Sequence, residues 1–137
     1  MAKKVWVERN KDGSWDAFGD DGAHIKFGHG QGLFDPGDLM KLALAGCAAL
    51  SSQVAVESTL GEGKGATISV DGTYDDELKG FASFKEQIEL DASSAGLHNE
   101  DVEKFKERVQ KHIERSCMVM HTYEHATPVS EEITVKQ

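Results

Sequence analysis

Cysteine is scarce in this chain: Cys47 and Cys117 are the only two in 137 residues. The start, MAKKVWVERN, is basic but runs into a short alternating segment, so it lacks the apolar core of a secretory signal. Without such a signal the expected compartment is the cytoplasm. There two cysteines serve as reactive or simply buried thiols rather than as a permanent staple. Positive charge is also in short supply. Fifteen basic against twenty-four acidic side chains give a net charge of −9. That balance argues against nucleic acid and anionic membranes as partners. No run of 18 apolar residues occurs, so no membrane span is expected. Repeats and low-complexity tracts are absent as well.

What is present is ordinary globular usage, 28% charged and 39% hydrophobic. The length suits a single domain, residues 1–137, large enough to bury a core. Residues 4–10 and 14–19 alternate around the turn Lys11-Asp12-Gly13 and predict a β-hairpin. Asp20-Asp21-Gly22 turns the chain into a third strand, about Ala23–Phe27. The segment GHGQGLFDPGD is a glycine-rich loop. Asp35 as N-cap and Pro36 at the first helical position open a helix to about Ser58. Its first half is apolar on nearly every side, which predicts a buried central helix. Gly46 and the alanines around Cys47 predict a neighbour packed closely against it. After the linker GEGKG (61–65), strands are expected at Thr67–Tyr74 and Phe81–Leu90. Asn99 caps a second helix striped by Val102, Phe105, Val109 and Ile113, and Cys117 follows it directly. Pro128 interrupts, and Glu131–Val135 is expected as a last strand. The order βββ-α-ββ-α-β describes an α+β domain with antiparallel sheet.

A thiol within one helix and a thiol at the end of another have the parts of a dithiol redox centre if the fold brings them together. A cysteine attacks as its thiolate, and an ordinary thiol is mostly protonated at neutral pH. Cys47 lies mid-helix and apolar, so a positive group from elsewhere is expected to activate it. Lys41 is six residues earlier on another face. Of the three arginines, Arg108 and Arg115 read as solvated or capping charges, and Arg9, beside the first turn, is the best placed. The competing reading is two inert core cysteines. HTYEH (121–125) spells an inverted zinc-peptidase pattern, with His121 and His125 as ligands and Glu124 as base. It is set aside, since only twelve residues remain for a third ligand and Pro128 crowds the segment. GHGQG lacks the lysine of a phosphate-binding loop, and His29 within it reads as a loop histidine near a site at most.

LMKLALAGCAALSS (39–52), preceded by Asp35-Pro36, resembles the helix that carries the first cysteine of the OsmC/Ohr family. ERSCMVMHT (114–122) resembles the segment that carries the second, and the element order and length match throughout. The resemblance implies antiparallel sheets wrapped around two central helices in an intertwined homodimer. It implies a thiol-dependent peroxidase for organic hydroperoxides, recycled by an external dithiol of the lipoamide type, with no cofactor. On it Cys47 is the peroxidatic thiolate, Cys117 the resolving thiol, and Arg9 the group that holds the thiolate. The family commonly carries a glutamate for that arginine directly after the proline. Here Gly37 occupies the place, and Asp38, about 100° further round the helix, is the carboxylate left as its partner. After the second cysteine the chain reads Met118-Val119-Met120-His121, which resembles a divergent branch of the family. The alternative is a dimer of this fold that binds an apolar ligand or senses oxidants with little turnover.

Overall fold

Short side-chain turns set the first sheet. The computed structural model describes residues 3–137. Asp12 Oδ1 accepts the Ser14 backbone N–H at 2.9 Å and its hydroxyl at 2.6 Å. Gly13 takes φ +92°, open to glycine at little cost. This turn joins β1 (Val5–Arg9) to β2 (Trp15–Gly19) in antiparallel register, Arg9 opposite Trp15 and Val5 opposite Gly19. Asp21 repeats the device by accepting from the Ala23 N–H, and β3 (His24–Phe27) completes the sheet β1-β2-β3.

Asp35 and Asp38 then cap each other. The Asp38 N–H donates to Asp35 Oδ1 at 2.8 Å, and the Asp35 N–H donates to Asp38 Oδ2 at 3.0 Å. Two otherwise unpaired donors at the helix start are thus satisfied. From there α1 runs Pro36–Leu60. A second hairpin follows, β4 (Thr67–Asp75) and β5 (Gly80–Glu89), as a separate two-stranded sheet. Then come α2 (Asn99–Ser116) and a short α3 (Met118–Tyr123). The cap of α2 is His98 rather than Asn99, and its N–H donates to Asp101.

The chain forms two compact units. The first holds the described residues up to Ala43 together with Gly72–Phe84; the second holds Leu44–Asp71 and Lys85–Gln137. In the first, Phe81 takes the space beside two glycines. A Cβ at Gly72 would lie 2.6 Å from its ring, and one at Gly37 would lie 3.3 Å from it. In the second, the buried side chains are Leu44, Ala45, Ala48, Ser52, Ala55 and Val56 of α1 with Phe105, Val109 and Ile113 of α2. Arg108 Nη2 of α2 donates to Ser58 Oγ of α1 at 2.6 Å.

Two expectations are corrected. First, α1 is not buried all round. Leu50 is 82% and Val54 74% exposed, and a Cβ at Gly46 would meet nothing within 4 Å. The Gly46 side of the helix faces no neighbour among the described residues, whereas Ala45, Ala48 and Ala55 are buried. Second, no strand forms at Glu131–Val135. Residues 126–137 are irregular, and Ile133 and Val135 stand exposed. A strand needs a partner edge, which local alternation cannot supply. By length and mean hydropathy α1 would also suit a bilayer despite Lys41. That is weak evidence, because the core helix of a water-soluble fold meets the same measure.

Candidate active site

The joint between α2 and α3 builds the site. The Cys117 N–H donates to the Ile113 carbonyl at 2.9 Å and so closes α2. Its own carbonyl accepts from the His121 N–H at 3.1 Å and opens α3. Between these bonds Cys117 is extended, φ −78° and ψ 93°. The chain therefore restarts a helix directly after the thiol. The first N–H groups of α3, from Met118 and Val119, have no helical carbonyl to donate to. Both donate to Cys47.

Cys47 and Cys117 are brought together as free thiols joined by a hydrogen bond. Their surroundings differ. Burial pushes the Cys47 thiol up, but it is outweighed by the Val119 N–H, the Cys117 thiol, the Ser51 hydroxyl and the Met118 N–H. The result lies below the ordinary value for a thiol, because each donor favours the thiolate. Cys117 is 0% exposed, and burial raises it. The Met120 N–H opposes that rise, while donation to Cys47 and the charges of Cys47 and Glu86 add to it. One thiol is thus half-exposed and poised to ionise; the other is enclosed and held as a donor.

Within its own unit, Cys47 is surrounded by donors. The groups that lower it most are hydrogen-bond donors of its own unit, not a cation. Lys41 places its ammonium 5.2 Å from the Phe81 ring centre. Arg9 ends β1 in the first unit, with Nη2 over the turn glycine Gly13. Asp38, in the same unit, is engaged in the α1 cap.

Two residues escaped the sequence reading. Ser51 lies one turn beyond Cys47 on α1, and its i+4 spacing was the available signal. Glu86 shares its strand parity with Phe84 and Ile88, so a carboxylate stands in the apolar register of β5. Its Oε1 is buried with no hydrogen-bond partner among the described residues, and burial raises its pKa.

HTYEH does not form one helical face. α3 ends at Tyr123, before Glu124 and His125, and His121 Nε2 is hydrogen-bonded to the Glu114 carbonyl at 2.6 Å. Among the described residues no group of three His, Cys, Asp or Glu is placed to hold a metal ion. In the first unit, an open cavity of about 540 Å³ is lined by Val7, Trp15, Phe27, Leu33 and His29, among others.

Comparison with known proteins points one way. The family model described as "OsmC-like protein" matches residues 28–132. An uncharacterized protein of Mycobacterium tuberculosis (strain ATCC 25618 / H37Rv) is 30% identical over 132 residues, covering 95% of each chain. The fold is similar to that of an OsmC-like protein from Mycoplasma pneumoniae, with TM-score 0.66, 15% identity and coverage of 92% of this chain and 89% of that one. It is also similar to the organic hydroperoxide resistance protein OhrB of Bacillus subtilis, with TM-score 0.55, 18% identity and coverage of 89% and 90%.

Proposed function

The chain belongs to the OsmC-like protein family, and on that premise we propose that it is a thiol-dependent peroxidase that reduces organic hydroperoxides to alcohols. One observation carries the reading: the two thiols are hydrogen-bonded and oppositely perturbed, Cys47 toward thiolate and Cys117 toward thiol. The Cys47 thiolate attacks the terminal peroxide oxygen. The O–O bond breaks, the alkoxide leaves and takes a proton from solvent, and Cys47 becomes a sulfenic acid. Cys117 then attacks the Cys47 sulfur, water leaves, and a disulfide forms. An external dithiol of the lipoamide type reduces that disulfide by exchange. The name of OhrB, an organic hydroperoxide resistance protein, agrees with this substrate class.

The working protein in this reading is a cytoplasmic homodimer of one domain per chain, and it needs no cofactor. The uncovered apolar residues of α1 support the dimer. Arg9, with Asp38 as its carboxylate, is kept as the proposed cation for the thiolate. The test is consumption of cumene hydroperoxide with a lipoamide-type dithiol. Turnover should vanish in Cys47→Ser. In Cys117→Ser a single turnover should survive and stop at the sulfenic acid. Equal, slow consumption by wild type and Cys47→Ser would remove the peroxidase.

A second reading, an apolar-ligand binder or oxidant sensor, is favoured by the cavity beside Trp15 and Phe27. It expects binding of hydrophobic probes with no hydroperoxide turnover.

A further inference from the structure

The resolving step leaves a proton to place. Cys117 is enclosed and protonated, and it must lose that proton as it attacks Cys47. The titratable groups acting on Cys117 are Cys47 from α1 and Glu86 from β5. Cys47, now a sulfenic acid, is no longer a thiolate that could take the proton, and the hydroxide it releases can take one only once the S–O bond has broken. Glu86 remains. Its Oε1 is buried and has no hydrogen-bond partner among the described residues, which is a costly state for a carboxylate oxygen with no role. Glu86 also stands in the register of β5 that otherwise carries Phe84 and Ile88.

We propose that Glu86 is the proton acceptor for Cys117 in disulfide formation. The inference rests on the peroxidase reading for its oxidant, but not for its test. The Cys117 proton passes to the Glu86 carboxylate as the Cys117 sulfur bonds to the Cys47 sulfur. The Cys47 S–O bond breaks, and the departing hydroxide takes the proton from Glu86 and leaves as water. Burial of Glu86 lifts its basicity toward neutral pH, where a general base works best. The same carboxylate suits the resting state. With Cys47 ionised, the charges of Cys47 and Glu86 together keep Cys117 a thiol, so the oxidant meets one thiolate. Oxidation of Cys47 removes one of those charges and frees Cys117 to react.

The resolving step can be started without a peroxide. 5,5′-Dithiobis(2-nitrobenzoate) caps Cys47 and releases one thionitrobenzoate. Attack by Cys117 then releases the second, and its proton again needs an acceptor. In full-length Glu86→Gln, the second release relative to the first should slow by about a hundredfold. It should also climb about tenfold per pH unit, where wild type is nearly level near neutrality. Glu86→Asp should restore part of the rate. If Glu86→Gln keeps the wild-type ratio and pH profile, the assignment is overturned. If both releases slow together, Glu86 serves packing alone and the assignment is again overturned. A wild type that shows the Glu86 dependence yet consumes no hydroperoxide would retain the proton acceptor and remove the peroxidase.

Discussion

At the scale of single residues, Ser51 and the α3 backbone define what Cys47 is. Each donor bond to a thiolate lowers its pKa, so removing one raises it and leaves less thiolate at neutral pH. Ser51→Ala should slow alkylation of Cys47 by iodoacetamide about threefold at pH 7, half a pKa unit being worth that factor. The deficit should close as pH rises past the Cys47 pKa, because both proteins are then ionised. The same assay on Arg9→Ala weighs a cation against these donors. A slower rate assigns Arg9 a share, and an unchanged rate leaves activation to Ser51 and α3. Both thiols were visible in the sequence because their settings are unlike each other. Their partners were not. The part played by Ser51 depends on which way one helix face turns, and the burial of Glu86 depends on what covers β5. Spacing along the chain makes each a candidate, but only the packed fold decides it.

At the scale of elements, local chemistry was legible and long-range pairing was not. Asp12-Gly13 and Asp21-Gly22 each carry their turn geometry in adjacent residues, and both turns form where expected. Asp35-Pro36 starts α1 for the same reason. α3 went unread because a six-residue helix has little propensity of its own. It is held by the joint at Cys117 and by the half-burial of Val119, Met120 and Tyr123. That joint is testable. Met118 is the first residue of α3 and is exposed, and the residue before it is extended, as a following proline requires. Met118→Pro should therefore keep the fold and delete one N–H donor to Cys47. Alkylation at pH 7 should slow about twofold to threefold, with far-ultraviolet circular dichroism unchanged. A rate equal to wild type would mean that Val119 and Ser51 suffice.

For the whole molecule, the apolar surface is the property to explain. Leu50 and Val54 on α1, Val5, Val7 and Ile25 on the first sheet, and Ile133 and Val135 near the chain end are all uncovered. Uncovered apolar residues in each unit argue for a second copy, in line with the proposed homodimer. Leu50→Glu should shift the sedimentation coefficient from dimer to monomer, since a charge placed in an apolar interface is left unpaired. A sedimentation coefficient equal to that of wild type would exclude this face of α1 from the interface. The sequence hinted at this surface through the all-round apolarity of α1, but hydropathy does not say whether a helix is covered by its own chain or by another.

Phe81 constrains how this protein can change over generations. A Cβ at Gly72 would stand 2.6 Å from its ring, so no lineage can gain a side chain at 72 while keeping the ring where it is. Relatives that carry a larger residue at 72 should carry a smaller one at 81. The order of change is then fixed: position 81 must shrink before position 72 can grow.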